Sequence, residues 1–406
     1  MVIRSFFIFD TKTIASRAVL IAAVIFALIV AWFSIRWQLG DMLAQLTPPS
    51  QPNAGEIARL ATSLAPSSPI AQWLSATKQR ETFDLSAIDA SVAMFESVVR
   101  LSPNDFRWWI ELGRAYEQAE QSERAEAAFE RATEIAPEYT FPRWQLGNFY
   151  LRQNRSDEAF AELKKTTEKS LAYREQVFSL AWDYFDKNPQ KLEEIAADRP
   201  EVNATLASFY ALRGKPEDAL RVWNKLSADE KEPHLRSARD IAQGLYDRRY
   251  FRQAIAFASQ TGIDPEAQIE TVTNGSFEKF IGPANETLFG WVINRGEGRM
   301  EALPDSTVRA EGGRSLKVTF RGYNKPDMYN ITQFVAVEPG KRYRVAFVVR
   351  TENLKSGGPP LVKLISGQDD KVVATSSPFE TGTNDWQQIA LDFTVPENTD
   401  GVRIVT

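Results

Sequence analysis

The chain has 406 residues, of which 43% are hydrophobic and 25% charged, a length and composition typical of two or three folded domains. It has no cysteine and one histidine, His234, which excludes disulfides, cysteine nucleophiles and multi-histidine metal sites. Residues 1–80 carry 7 basic and 3 acidic side chains (net +4), 81–270 carry 25 and 34 (net −9), and 271–406 carry 16 of each. The acidic middle predicts that nucleic acid is not a partner.

The first predicted element is a single transmembrane helix. Residues 18–35 carry no charge, and at ~1.5 Å per residue they extend ~27 Å, close to the ~30 Å hydrocarbon thickness of a bilayer. Trp32 and Trp37 lie at the distal end, where interfacial aromatics are expected. A cleaved signal peptide is the alternative, but its apolar run would be ~7–15 residues and would precede a small-residue cleavage site. We therefore expect residues 1–46 to be a cytoplasmic tail and an uncleaved anchor.

The flanking charges predict the orientation of this anchor. Arg4, Lys12 and Arg17 precede the apolar run, and only Arg36 follows it closely. The positive-inside rule then places the N-terminus in the cytoplasm and the rest of the chain across the membrane, in the periplasm of a bacterium. The Pro-rich residues 47–55 are expected to be a spacer that lifts the soluble part off the bilayer.

A 34-residue pattern covers residues 105–138 and returns, less completely, along residues 56–262. Its positions are Trp109, Leu112, Gly113, Tyr116, Ala125, Phe129, Ala132 and Pro137. This pattern resembles the tetratricopeptide repeat (TPR), a pair of packed helices. Gly113 and Ala125 are small enough to let the two helices touch, and Pro137 ends the second. We predict an all-α solenoid of five or six units, with a short second helix near residues 192–197.

The resemblance implies a protein-binding groove lined by four positions of each first helix. Chaperone-binding members of the TPR family clamp a terminal carboxylate with Lys, Asn and Arg side chains at these positions. This chain keeps only Asn148 of that set. We therefore expect an aromatic groove that takes an apolar or helical segment. The alternative is that these aromatics pack inside the array. The predicted groove residues are Arg107, Ile110, Arg114, Phe141, Trp144, Asn148, Phe178 and Trp182.

After Gly262 the hydrophobic period changes to two. Residues 343–349 and 389–395 alternate apolar and other side chains, which predicts half-buried strands separated by Gly- and Pro-containing turns. Residues 263–273 are expected to be a connector and 274–406 an all-β jelly-roll sandwich. Six segments of this region carry a further resemblance: Asn274–Glu278, Gly290–Trp291, Gly313–Val318, Gln333–Gly340, Tyr343–Thr351 and Asp385–Pro396. Their order resembles carbohydrate-binding modules of families four and nine, which have a galactose-binding-like fold.

That resemblance implies a sugar site and a structural calcium ion. The candidates for glycan binding are Tyr323, Asn324, Tyr329, Asn330, Gln333 and Arg350. Trp291 and Trp386 occupy positions that are usually buried in the family, so we assign them to the core. Glu278 can supply one calcium ligand. The second would lie on a closing strand that the family carries and that does not appear before Thr406. Either the sequence is truncated there, or the sandwich lacks its final strand and one sheet edge is left open.

Catalytic motifs such as GxSxG, a phosphate-binding loop or HExxH do not occur, so we expect no enzymatic activity. The sequence therefore predicts a membrane-anchored scaffold that needs no cofactor and binds a protein partner through its repeats. It resembles the membrane-anchored TPR proteins of bacterial cell-envelope and exopolysaccharide assembly. Two alternatives stay open for the β-domain: it tethers polysaccharide at the membrane surface, or it is a spacer or protein contact.

Overall fold

The computed structural model describes residues 13–81, 85–282, 287–294, 299–322 and 331–406, without the side chains of residues 85 and 86. It divides into two compact units, residues 1–173 and 174–406.

The first unit is helical. Antiparallel helices pair along the chain, and small residues set their spacing: a Cβ on Gly113 would lie 3.0 Å from the Phe129 ring, and one on Gly147 would lie 2.8 Å from Leu163. Asp105 begins one helix by accepting a hydrogen bond from the Arg107 backbone. The helices are α1 (Ile14–Gln45), α2 (Ala54–Leu64), α3 (Pro69–Arg80), α4 (Leu85–Leu101), α5 (Phe106–Gln118), α6 (Ser122–Ile135), α7 (Thr140–Arg152) and α8 (Ser156–Lys169).

Helix α1 is one continuous helix that includes the predicted span and continues ten residues beyond it. Its last turns pack on α2 and α3: Asp41 is buried and accepts from Ser68 Oγ at 2.6 Å and from Gln45 Nε2 at 2.6 Å. The segment after it is a folded turn, because Thr47 is buried and Lys78 donates to the Pro49 carbonyl. The expectation of a spacer over residues 47–55 is therefore wrong.

A Tyr–Glu–Arg contact recurs in successive repeats of this unit. Tyr116 Oη donates to Glu96 at 2.8 Å, and the Arg124 guanidinium lies 4.2 Å above the Tyr116 ring. In the next repeat Tyr150 contacts Glu126 and Arg155 in the same way. The hydrogen bond from Tyr116 lowers the pKa of Glu96, and burial raises the pKa of Tyr116 to about 12. The contact to Glu96 therefore stabilises the fold above pH ~4.5 and weakens as the pH falls below it.

The second unit begins inside α9 (Leu171–Tyr184), and its first part is also helical. Its second helix, α10, has only seven residues, which confirms the short helix predicted near 192–197. Helix α14 approaches α11 closely at Gly244, where a Cβ would lie 2.8 Å from the Ala211 carbonyl. The remaining helices are α10 (Pro189–Ile195), α11 (Pro200–Leu212), α12 (Pro216–Trp223), α13 (Ala228–Lys231), a 3-10 turn (Glu232–His234), α14 (Leu235–Asp247) and α15 (Phe251–Gln260).

The rest of the second unit is an antiparallel β-sandwich, as predicted. One layer is a five-stranded sheet in the order β1-β4-β9-β6-β7, and the paired β5 and β8 cover it. Both layers contribute to one core, which includes Val335, Leu364, Leu391, Phe393 and Ile404. The strands are β1 (Val292–Ile293), β2 (Met300–Asp305), β3 (Ser315–Phe320), β4 (Ile331–Ala336), β5 (Arg342–Leu354), β6 (Lys363–Ser366), β7 (Val372–Thr375), β8 (Gly382–Thr394) and β9 (Gly401–Val405).

Strand β9 does not lie at an edge of the sheet. It pairs with β4 on one side and with β6 on the other, so its backbone is used on both sides. Among the described strands, the edges of this sheet are β1 and β7. Strand β9, the last strand of the sheet along the chain, is therefore not the open edge that the sequence led us to expect.

The sandwich is joined directly to the last helical pair. Tyr246 and Phe251 pack on Phe289 and Phe334, with ring centroids 4.7 to 5.6 Å apart. Arg249 donates to the Gly367 carbonyl at 2.8 Å and pairs with Asp370 at 3.1 Å. These contacts combine buried aromatic area with hydrogen bonds.

Other backbone contacts complete the same junction. The Arg252 N–H donates to Asp400 at 3.1 Å, and Gln368 Nε2 donates to the Arg249 carbonyl at 2.8 Å. Asp264 is buried and accepts from the Phe289 N–H at 3.1 Å, and its burial raises the pKa of its carboxyl group. The predicted connector 263–273 is thus attached at both ends, since the Glu270 N–H also donates to Ala336 at 2.8 Å.

Enlarging a glycine at this junction should weaken it. In Gly401→Ala the new Cβ would lie 2.5 Å from the Phe251 ring, so we expect a loss of roughly 1–3 kcal/mol in the free energy of unfolding. Thermal unfolding and limited proteolysis of residues 263–273 measure the effect. Gly357→Ala is the matched control, because nothing lies within 4 Å of that Cβ. Equal stability of the two variants would contradict direct packing at Gly401.

Candidate protein-binding surface

An exposed row of aromatic side chains lies around α7 in the first unit. Tyr139, at the start of α7, is 62% exposed and packs on Phe106 with ring centroids 5.3 Å apart. Phe141, on the first turn, is 37% exposed. One turn further, Trp144 is half-buried and packs on Tyr173 at 5.4 Å. We call these five residues the α7 aromatic row.

Charged side chains border this row. Arg143, Lys165 and Lys169 line a shallow cavity beside Tyr139, together with Glu138. Lys169 lies close to Glu138, and its hydrogen bond lowers the pKa of that carboxyl. Aromatic side chains surrounded by charged ones are the usual composition of protein interfaces.

A polar set bridges α5 and α7. Glu111 accepts from Arg114 at 2.6 Å, and Arg114 donates onward to Gln145 at 3.0 Å. Arg152 makes a two-pronged ion pair with Glu117 at 2.6 and 2.8 Å. These hydrogen bonds fix the spacing between α5 and α7. Because Arg114 and Arg152 already pair with side chains of the repeats, they are not available to clamp a carboxylate.

The predicted groove residues of the first unit divide between surface and core. Arg107 is exposed and pairs with Asp105, while Arg114 and Asn148 are half-buried. Asn148 donates to the carbonyl of Trp144, its own helix neighbour. Ile110 is 1% exposed, so it is a core residue and lines no groove.

Phe178 and Trp182 are also core residues. They are 0% and 4% exposed, because Phe209 of α11 packs on both with ring centroids 5.7 and 5.9 Å apart. The prediction that they line an open groove is therefore wrong, and the alternative of internal packing applies at these positions. Sequence reasoning missed Phe106, Tyr139 and Tyr173, although Tyr139 and Tyr173 stand 34 residues apart and so share one repeat position.

Alanine substitution should separate surface from core. Phe178→Ala removes a fully buried ring and should lower the free energy of unfolding by roughly 3–5 kcal/mol. Phe141→Ala removes a ring with an exposed face and should change stability by about 0.5 kcal/mol. Denaturant unfolding of the two variants measures both values. A larger loss for Phe141→Ala than for Phe178→Ala would reverse this assignment.

The glycan candidates in the sandwich differ in accessibility. Tyr323, Asn324, Tyr329 and Asn330 lie outside the described residues. Gln333 of β4 is 1% exposed and donates from Nε2 to the Thr273 carbonyl at 2.8 Å. Its side chain is therefore buried, and the prediction that it contacts a glycan is wrong.

Arg350 is exposed in β5. It lies where the pairing of β5 with β8 shifts between Val349 and Thr351. Such irregularities change the direction in which a side chain points, and they are common next to binding sites.

The tryptophans assigned to the core are both half-buried. Trp291 packs against the sandwich core and donates to the Asn274 carbonyl at 3.1 Å.

Glu278 serves as an acceptor for backbone N–H groups. Its Oε1 accepts from Gly313 at 2.7 Å and from Arg314 at 3.2 Å, which ties the turn before β3 to the start of the domain. In the part of the chain that the structure describes, no three His, Cys, Asp or Glu side chains gather where they could hold a metal ion. The geometry of Glu278 thus supports a structural hydrogen-bond role and lends no support to a calcium site.

Comparisons with known proteins agree with the two folds. A family model described as "Carbohydrate binding domain" matches residues 270–406, and one described as "Tetratricopeptide repeat" matches residues 83–146. Tetratricopeptide repeat protein 37 of Xenopus laevis is 34% identical over 62 residues, 15% of this chain and 4% of that protein. The chain thus spans a small fraction of that relative's length.

Several solved structures each match a part of this chain at low sequence identity. MamA from Desulfovibrio magneticus RS-1 is 22% identical, with a TM-score of 0.28 over 34% of this chain and 74% of MamA. The TPR protein TTC0263 of Thermus thermophilus is 19% identical, with a TM-score of 0.27 over 52% and 98%. Yeast Tom70 is 17% identical, with a TM-score of 0.35 over 56% and 50%.

The chain is therefore a helical-repeat protein with an appended β-sandwich. More specifically, residues 83–146 match the tetratricopeptide repeat and residues 270–406 match a carbohydrate binding domain, and a helix long and apolar enough to span a membrane precedes both.

Proposed function

We propose that this protein is a membrane-anchored, non-enzymatic scaffold whose α7 aromatic row binds an apolar segment of a protein partner. The observation that carries the proposal is the exposure of Tyr139 and Phe141, in a unit where Phe95, Phe129 and Phe149 are fully buried. Exposed aromatics with fixed neighbours offer a large contact area at small entropic cost. Binding of this kind needs no cofactor. A TPR array is also a kind of domain that generally recognises proteins.

The membrane part of the proposal rests on α1. Its apolar side chains are solvent-exposed along the predicted span: Phe26 is 68% and Leu28 64% exposed. Such a surface is stable only when lipid or protein covers it. With the basic residues placed before the span, the N-terminus is cytoplasmic and the repeats lie on the other side, the periplasmic side in a bacterium.

A role in cell-envelope or exopolysaccharide assembly follows from combining three parts. A membrane anchor, a protein-binding array and a domain of the carbohydrate-binding kind together suit a protein that holds an assembly machine near a polysaccharide. Support for this process comes from the resemblance of the chain to envelope TPR proteins and from the family match of residues 270–406.

Site-specific photocrosslinking tests the partner site. A benzophenone side chain placed at Phe141 in the full-length protein in native membranes should give a discrete crosslinked species. The same species should disappear when Tyr139→Ala is added, since the two residues belong to one surface. Leu212, which is 67% exposed on α11, is the matched control position and should give none. Identical crosslinks at both positions, or none at Phe141, would count against the α7 aromatic row.

Glycan binding by the sandwich is the second candidate, favoured by the family match of residues 270–406 and by the exposure of Arg350. The full-length protein in nanodiscs should bind a polysaccharide on an array, and Arg350→Ala combined with Tyr323→Ala should remove the binding. Tyr139→Ala should leave it unchanged. If no polysaccharide binds, or if the double variant binds equally well, the domain is a spacer or a protein contact.

A further inference from the structure

Helix α2 runs back along α1 towards the predicted span. Gly40 of α1 lies against α2, where its Cβ would come within 2.7 Å of the Ala61 carbonyl. Nearer the span, Trp37 Nε1 donates to Ser67 at 3.0 Å and Arg36 donates to the Ser63 carbonyl. The two helices are therefore antiparallel, and the C-terminal end of α2 is the end that lies nearest to the predicted span.

The turn between α2 and α3 reaches the level at which the apolar run ends. Leu64, Pro66 and Ser67 line one cleft with Phe33 and Trp37 of α1. Ile35, the last residue of the uncharged run, lies between those two α1 residues. If α1 crosses a bilayer, this turn lies at the boundary between acyl chains and headgroups.

Three apolar side chains of this segment reach solvent: Leu60 and Pro66 are exposed and Leu64 is half-buried. Leu60 is 51% exposed and stands one helical turn before Leu64, on the same face. The other face of α2 is buried through Ala54, Ala58 and Ala61. One helical turn is ~5.4 Å, which is within the ~5–7 Å depth of the headgroup layer on each side of a bilayer.

We infer that Leu60, Leu64 and Pro66, here called the juxtamembrane cap, insert into the interfacial layer of the lipid bilayer. This inference rests on the proposed membrane span of α1. The occupant follows from continuity: Phe33 and Trp37 of α1 line the same cleft as Leu64 and Pro66, a cleft that Arg36 also lines, so lipid that covers this end of α1 also reaches the cap. Trp32 and Trp37, 65% and 37% exposed, lie at the same boundary, where indole rings are favoured.

The absence of cysteine from the sequence allows a direct test. Leu60→Cys is labelled with an environment-sensitive NBD fluorophore in the full-length protein and reconstituted into phosphatidylcholine and phosphatidylglycerol vesicles. Shallow-doxyl lipids should quench it more than deep-doxyl lipids do. Leu28→Cys, inside the span, should show the opposite order, and Leu212→Cys should not be quenched.

Each outcome decides between the proposals. Quenching at Leu28 without quenching at Leu60 keeps the anchor and overturns the cap. A blue-shifted but unquenched label at Leu60 means that protein covers the site, which also overturns the cap. If Leu28 is not quenched, α1 does not span and both proposals fail. Leu64→Cys repeats the measurement one turn closer to the bilayer, and circular dichroism confirms that each variant is folded.

Discussion

Close approach of helix backbones is the constraint on which the helical part of this protein depends. Several helices meet at a glycine, where the backbone or a side chain of the neighbouring helix occupies the space that a Cβ would need. Gly40 meets Ala61 near the anchor, Gly113 meets Phe129 in the first full repeat, and Gly244 meets Ala211 near the end of the array. A Cβ added at any of these glycines would lie closer to the neighbouring helix than ordinary van der Waals distance. A larger residue there would therefore push the helices apart.

The same constraint extends into the sandwich. Gly367 and Gly401 place sheet backbone directly on the Phe251 ring, and Tyr246 and Phe334 enclose it. The end of a helical array exposes an apolar face that must be covered, and here the β-domain covers it. One consequence concerns the surface of the sandwich: the end of the sheet that carries Gly401 of β9 and Gly367 after β6 is used for this contact. The β5–β8 layer, with Arg350, stays open to a ligand.

The sequence predicts the helices and strands well because their periods follow from repeat spacing and side-chain alternation. It predicts groove residues poorly because groove positions assume regular units. Helix α10 is too short to keep the regular spacing, so Phe209 fills the space beside Phe178 and Trp182. The burial of Gln333 has a different cause. Gln333 lies two residues from the buried Ile331 and Val335, on the same face of β4, so the strand pattern predicts its burial.

The turn after α1 could not be predicted from composition, because Pro-rich segments form both extended linkers and tight turns. The structure selects the turn through side chains distant in sequence, above all Ser68 on Asp41 and Lys78 on Pro49. Since α1 is uninterrupted from residue 14 to residue 45, the proposed span has no hinge before the first repeats. Releasing α1 from α2 and α3 would break the buried hydrogen bond from Ser68 to Asp41 and expose the apolar contacts of Ala44 with these helices, both of which cost free energy. Helix α1 therefore packs on α2 and α3 as part of one compact unit, and a tilt of α1 would carry these two helices with it.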